Sequence, residues 1–141
     1  MDWHANLIED PEDIQALLSG SRRIAVLGMG AEANRERPAF YVPRYLKRAG
    51  FEVVPVPVYF PDLAEIDGQR TYRTVAEIPG EIDIVEVFRL SRDIPKHLDD
   101  LLAKKPKAVW FQSGIRNDEA ARTLAEAGIQ VVQDRCMCST C

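Results

Sequence analysis

Cysteine is scarce, and its placement excludes more than its number does. The three cysteines, Cys136, Cys138 and Cys141, all fall in the last six residues. A cluster confined to one terminus is not a disulfide framework. The spacing Cys-x-Cys-x-x-Cys offers thiolates of the kind that hold zinc or iron–sulfur clusters, but three ligands on a chain end with no nearby histidine make a poor metal site. The segment reads instead as a frayed tail with oxidisable thiols. Long apolar runs are missing too: none approaches the roughly 20 residues of a membrane span. The opening residues Met1–Asn6 are neither basic nor followed by an apolar signal core, so cytoplasm is the expected compartment and no membrane partner is expected. Net charge is −4, which lacks the broad basic surface that general nucleic-acid binding needs. Histidine occurs twice. His4 stands in an unpatterned segment, and His97 lies beside Lys96 opposite an apolar face, as a surface residue would. No nucleophile–base pair has a recognisable spacing, and no catalytic residue is assigned.

What remains is a chain of 141 residues, 46% hydrophobic and 28% charged, the profile of one soluble domain with a sizeable core. Residues 1–9 and 137–141 read as its tails. The chain is organised around Ile24-Ala25-Val26-Leu27-Gly28-Met29-Gly30-Ala31-Glu32-Ala33. There a short apolar strand ends in two glycines, and a loop leads to a helix opening at Pro38. Strand, glycine loop and helix in that order form a phosphate-binding arrangement. The glycines let the backbone approach an anion, and the helix start supplies unpaired N–H groups and the positive end of a dipole. A side chain at Gly28 is expected to block the ligand while the fold survives.

Before this core, Asp10-Pro11-Glu12-Asp13 reads as a helix start, with Ile14, Leu17 and Leu18 on one face and Gly20 as the stop. Strands are expected at 23–27, 51–58, 82–88, 108–112 and 129–132. Helices are expected from Pro38 to Ala49, from Pro95 to Lys104 and after an Asn117 cap to Ala127, with a short helix at Val75–Ile78. Alternating apolar strands and helices imply an α/β fold: a Rossmann-type doubly wound parallel sheet of five strands, order 3-2-1-4-5, with helices on both faces.

Gly28-Met29-Gly30-Ala31-Glu32-Ala33 fits G-x-G-x-x-[G/A] formally. An NAD-binding unit also wants an acid at the end of strand two, and here that stretch reads Val54-Pro55-Val56-Pro57-Val58. An NAD(P)-dependent oxidoreductase is thereby disfavoured. The loop and helix instead carry Arg35, Arg37, Arg44, Lys47 and Arg48 against Glu36, a positive field suited to a ligand with several phosphates. Lys47 and Arg48 read as a solvated helix face, whereas Arg35 and Arg37 on the loop read as ligand contacts. Arg89, Gln112 and Gly114 sit at the C-terminal ends of strands, where open α/β sheets bind ligands.

Several motifs together resemble the small stand-alone CoA-binding proteins. They are Gly28-x-Gly30 with Glu36-Arg37-Pro38-Ala39-Phe40-Tyr41-x-x-x-Tyr45-Leu46, then Asp83-Ile84-Val85-Glu86-Val87-Phe88-Arg89, Trp110-Phe111-Gln112-Ser113-Gly114-Ile115-Arg116-Asn117 and Val131-Val132-Gln133-Asp134-Arg135-Cys136. The fold is similar to the N-terminal CoA-binding domain of the succinyl-CoA synthetase α subunit. The resemblance implies a non-catalytic module for coenzyme A or an acyl-CoA. Its pyrophosphate would sit on Gly28, Met29, Gly30, Arg35, Arg37 and Pro38. Its adenine would lie near Val56, Pro57, Phe88 and Arg89, and its pantetheine arm would run toward Gln112, Ser113 and Gly114. Met29-Gly30 replaces the Ala-Ser of many relatives. Alternatives are an enzyme acting on NAD(P) or on a CoA thioester, and a thiol redox protein using the terminal cysteines. A homodimer or a protein partner is left open.

Overall fold

A computed structural model describes residues 2–31, 33, 35–58 and 62–137. Helix α1 (Pro11–Ser19) starts where its cap dictates: the Asp10 carboxylate accepts from Glu12 N–H at 2.8 Å, and Pro11 fills the first turn. Ile14, Leu17 and Leu18 are its buried face. Strand β1 (Arg23–Leu27) and helix α2 (Pro38–Arg48) follow, and then strand β2 (Glu52–Val56). A two-residue antiparallel hairpin, β3 (Glu65–Ile66) and β4 (Gln69–Arg70), fills part of the connection to β5 (Ile84–Val87). Helix α3 (Leu98–Lys104), strand β6 (Ala108–Phe111), helix α4 (Asp118–Glu126) and strand β7 (Gln130–Val132) complete the alternation. Asn117 caps α4 by accepting from Ala120 N–H at 3.0 Å.

The five longer strands form one parallel sheet, β2-β1-β5-β6-β7, with helices around it. The α/β doubly wound class is thus present. Counted along the chain, these strands run 2-1-3-4-5 where 3-2-1-4-5 was expected, because the third strand lies against the first and not outside the second. Two features fix that position. Pro55 in β2 has no N–H to give to a second neighbour, which suits an edge strand. Asp83, just before β5, accepts from the N–H groups of Arg22 and Arg23 at 2.8 and 2.9 Å and so ties the start of β5 to the start of β1.

Two apolar cores lie on the two faces of the sheet. One joins Ile24, Val26, Ile84 and Trp110 to α1 and α2; the other joins Leu27, Val85, Val109 and Phe111 to α3 and α4. Chain winding therefore changes sides between β1 and β5. This is the switch point at which open α/β sheets leave a crevice beyond their strand ends.

Three local expectations are corrected. Val75–Ile78 is a turn, not a helix, because Val75 and Ala76 direct their N–H groups to the Asp100 carboxylate, both at 2.8 Å. The helix expected from Pro95 begins only at Leu98, after a 3-10 segment over Ser91–His97 that contains Pro95. At the start of the chain, Trp3–Asn6 forms a 3-10 turn, and Ile8 N–H reaches Val131 O at 2.8 Å beside β7.

Candidate functional site

The ends of β1 and β5 meet at Gly28. Its φ is +90°, and its N–H donates to Val56 O at 2.8 Å. A Cβ here would lie 2.5 Å from the Phe88 carbonyl oxygen and 3.1 Å from its carbon. Glycine is therefore required by the close approach of two backbones. The expectation that a side chain at Gly28 would act on the ligand alone is corrected, because its first collision is with the main chain that follows β5.

Gly30 differs. Its N–H donates to Ala39 O at 2.9 Å, and a Cβ would stand at 3.6 Å from Ala39, an ordinary contact. Both glycine amides are thus already bonded within the protein. Met29 between them is buried in the core under α1 and α2, so its side chain faces away from the crevice. Glu32 and Asn34 in this loop lie outside the described residues.

Helix α2 opens at Arg37, whose side chain makes no capping hydrogen bond. The N–H groups of Phe40 and Tyr41 both go to Arg37 O, at 2.9 and 3.0 Å, and Pro38 has none to give. The positive end of an eleven-residue helix, with exposed Arg37 on it, borders a cavity of about 620 Å³. From α2, Pro38, Ala39, Tyr41 and Val42 line this cavity; Phe88, Arg89 and Leu90 line it beyond β5. Gln112, Ser113 and Ile115 beyond β6, together with Cys136, close the other side. The volume falls within the range of small-molecule sites.

Arg89 is only 8% exposed. Its Nε–H donates to His97 Nε2 at 3.1 Å, and its Nη2 lies 3.9 Å from Asp93 Oδ2. His97 is therefore half-buried in the wall behind the cavity, not a surface residue. Burial first, and then the Arg89 guanidinium, lower its pKa. The Lys96 hydrogen bond chiefly holds the Asp93 carboxyl below its ordinary range. Gln112 accepts at Oε1 from Met137 N–H at 3.4 Å, which brings residues after β7 against the end of β6.

The cavity brings together Arg37, Pro38, Phe88, Arg89, Gln112 and Ser113 of the expected contacts. The others stand elsewhere. Arg35 borders a separate groove of about 340 Å³ on the outer side of α2, with Phe40, Tyr41, Arg44, Tyr45 and Arg48. Val56 and Pro57 are buried behind the strand ends. Gly114 turns away between Ser113 and Ile115, with its N–H on Asp134 Oδ1 at 2.6 Å. Lys47 also departs from a solvated-face role, since its ammonium ties α2 to Asp67 O at 2.6 Å.

Sequence reasoning missed Glu86. It sits in the middle of β5 with 0% exposure, and neither carboxylate oxygen has a hydrogen-bond partner among the described residues. Burial, and secondarily the Cys136 thiol nearby, push its carboxyl well above the usual carboxylate range. The signal was a single acid inside the apolar run Ile84-Val85-Glu86-Val87-Phe88. Cys138 and Cys141 lie outside the described residues, and no group of three metal-ligating side chains occurs among the described ones.

The fold and crevice define a doubly wound α/β protein with a ligand-sized cavity at its switch point. Residues 22–140 match the family described as CoA binding domain, and the chain belongs to that family. It is 34% identical to the protein YneT of Bacillus subtilis (strain 168) over 125 residues, 89% of each chain. A solved structure from Thermus thermophilus is 39% identical with a TM-score of 0.87, over 94% of this chain and 96% of that one. An acetyl-coenzyme A synthetase of Ca. Korarchaeum cryptofilum, solved with phosphate and ADP, shares the fold at 19% identity and a TM-score of 0.61, over 76% of this chain and 25% of that one. No helix among the described residues is long and apolar enough to cross a membrane.

Proposed function

We propose that the protein binds coenzyme A or an acyl-CoA in the cavity at the β1–β5 switch point, in the cytoplasm. The observation that carries this reading is the pairing of Arg37, at the uncapped start of α2, with the buried Arg89 across one cavity. The diphosphate lies against the start of α2, where Arg37 and the helix dipole both favour an anion. The Gly28–Gly30 loop shapes the crevice by its close backbone packing, since the two glycine amides serve Val56 and Ala39. Tyr41, Phe88 and Leu90 supply apolar surface for the rest of the nucleotide. The pantetheine arm follows Gln112 and Ser113 toward Cys136, and it is the thin end of the ligand that needs least width.

Titration calorimetry tests this. CoA should bind more tightly than 3′-dephospho-CoA, and both more tightly than NAD, which has no pantetheine. Tight NAD binding with no heat from CoA would refute the reading.

A further inference from the structure

Cys136 stands on the cavity wall, held from both sides. Trp110 Nε1–H donates to Arg135 O at 2.7 Å, Arg135 N–H reaches Phe111 O at 3.3 Å, and Met137 N–H reaches Gln112 Oε1 at 3.4 Å. Three bonds thus fix the residues flanking the thiol to the end of β6. A second observation is independent of these. Glu86 stands one residue before the end of β5, two positions ahead of the cavity-lining Phe88, and it is fully buried with both oxygens unbonded among the described residues. Trp110, opposite Glu86 in the β5–β6 register, donates to Arg135 O, so the chain at Cys136 packs on the side of the sheet that carries Glu86. An unsatisfied buried carboxyl is costly, and nothing in the packing described above uses it. A third group completes the set. Gln112 lines the same cavity, and with its Oε1 accepting from Met137 N–H the donor that this buried side chain can offer is its NH2.

We propose that Cys136 accepts the acyl group of a bound acyl-CoA thioester, with Glu86 as the acceptor of its proton and Gln112 as the donor to the thioester oxygen. This rests on the CoA reading above. The Cys136 sulfur bonds to the thioester carbon while its proton passes to the ionised form of Glu86. Negative charge grows on the carbonyl oxygen beside the Gln112 amide. The bond from that carbon to the CoA sulfur then breaks, the proton moves from Glu86 to the leaving thiolate, and CoA departs as a thiol. One thioester replaces another, so no oxidant or reductant is needed. Burial makes the Glu86 carboxylate a stronger base than an exposed one, which suits it to take a proton from a thiol.

The test uses the purified full chain and acetyl-CoA, with intact mass and peptide mapping to read acetylation and calorimetry with CoA to read binding separately. We expect a hydroxylamine-sensitive acetyl group on Cys136, none there in Cys136→Ser, and at saturating acetyl-CoA a rate lower on the order of 10²-fold in Glu86→Gln. Calorimetry of each variant shows that it is folded and binding-competent. CoA bound with no acetyl group on Cys136, acetylation confined to Cys138 or Cys141, or equal rates in wild type and Glu86→Gln would each overturn the proposal. No heat with CoA or acetyl-CoA would instead overturn the binding reading on which it stands.

Discussion

Arg89 is held at the cavity by His97: the guanidinium Nε–H points at His97 Nε2 across 3.1 Å, with Asp93 3.9 Å away on its other side. The bond requires an unprotonated Nε2. A protonated His97 would lose its acceptor and set a second cation against Arg89.

A pH dependence follows. The folded pKa of His97 is depressed, so the unfolded chain binds more protons near pH 6. The His97 contribution is fully present above the ordinary histidine value of about 6.5 and is lost as pH falls through the lower folded value. Asp93 acts in a more acidic window, below its ordinary value of 3.8. We expect CoA affinity to fall between pH 7 and pH 5 in the wild type and the fall to be weaker in His97→Gln. Equal slopes by calorimetry would remove His97 from the site.

Glu86 has the opposite sign. Its folded pKa is raised, so from its ordinary value of 4.5 upward the folded chain holds a proton that the unfolded chain releases. Stability from this group declines as pH rises toward the folded value. Glu86→Gln should raise Tm at pH 7 to 8 and change it little at pH 4. A variant less stable at pH 8 than wild type would show that the carboxyl has a partner.

The two loop glycines should separate cleanly. Gly28→Ala forces a side chain onto φ +90° and against the Phe88 carbonyl, at a cost of about 1–3 kcal/mol from backbone strain alone. Gly30→Ala places its methyl at ordinary contact distance and should cost about 0.5 kcal/mol or less. Denaturant unfolding with the two losses equal would contradict the packing described for β1 and β5.

Local signals in the chain were readable, and long-range ones were not. Asp10-Pro11 and Asn117 mark helix starts because a cap is a contact between residues two or three apart, and both caps form. Arg23–Leu27 is a strand with the bounds its apolar run suggested. The neighbour of β1 depended on Asp83 meeting Arg22 and Arg23 some 60 positions away, with separations of 61 and 60. No periodicity records that pairing. His97 looked like a surface residue because its burial comes from a 3-10 turn that Pro95 sits in. Cys136 looked like part of a tail because Trp110 and Gln112, which hold its neighbours, are a whole βαβ unit earlier.

Arg37 and Arg35 are two positions apart in the chain but border different hollows. Arg37→Ala should weaken CoA by about 1.5–3 kcal/mol, the loss of a hydrogen bond to a charged group. Arg35→Ala should fall within about 0.5 kcal/mol of wild type. Matching losses would move the phosphates to the outer side of α2.

The most direct measurement is a crystal structure of the protein grown with CoA. We expect the diphosphate within hydrogen-bond reach of Arg37 at the start of α2 and the thiol end beside Gln112 and Cys136. CoA seated in the outer α2 groove around Arg35 and Arg44, with the switch-point cavity unfilled, would contradict that placement.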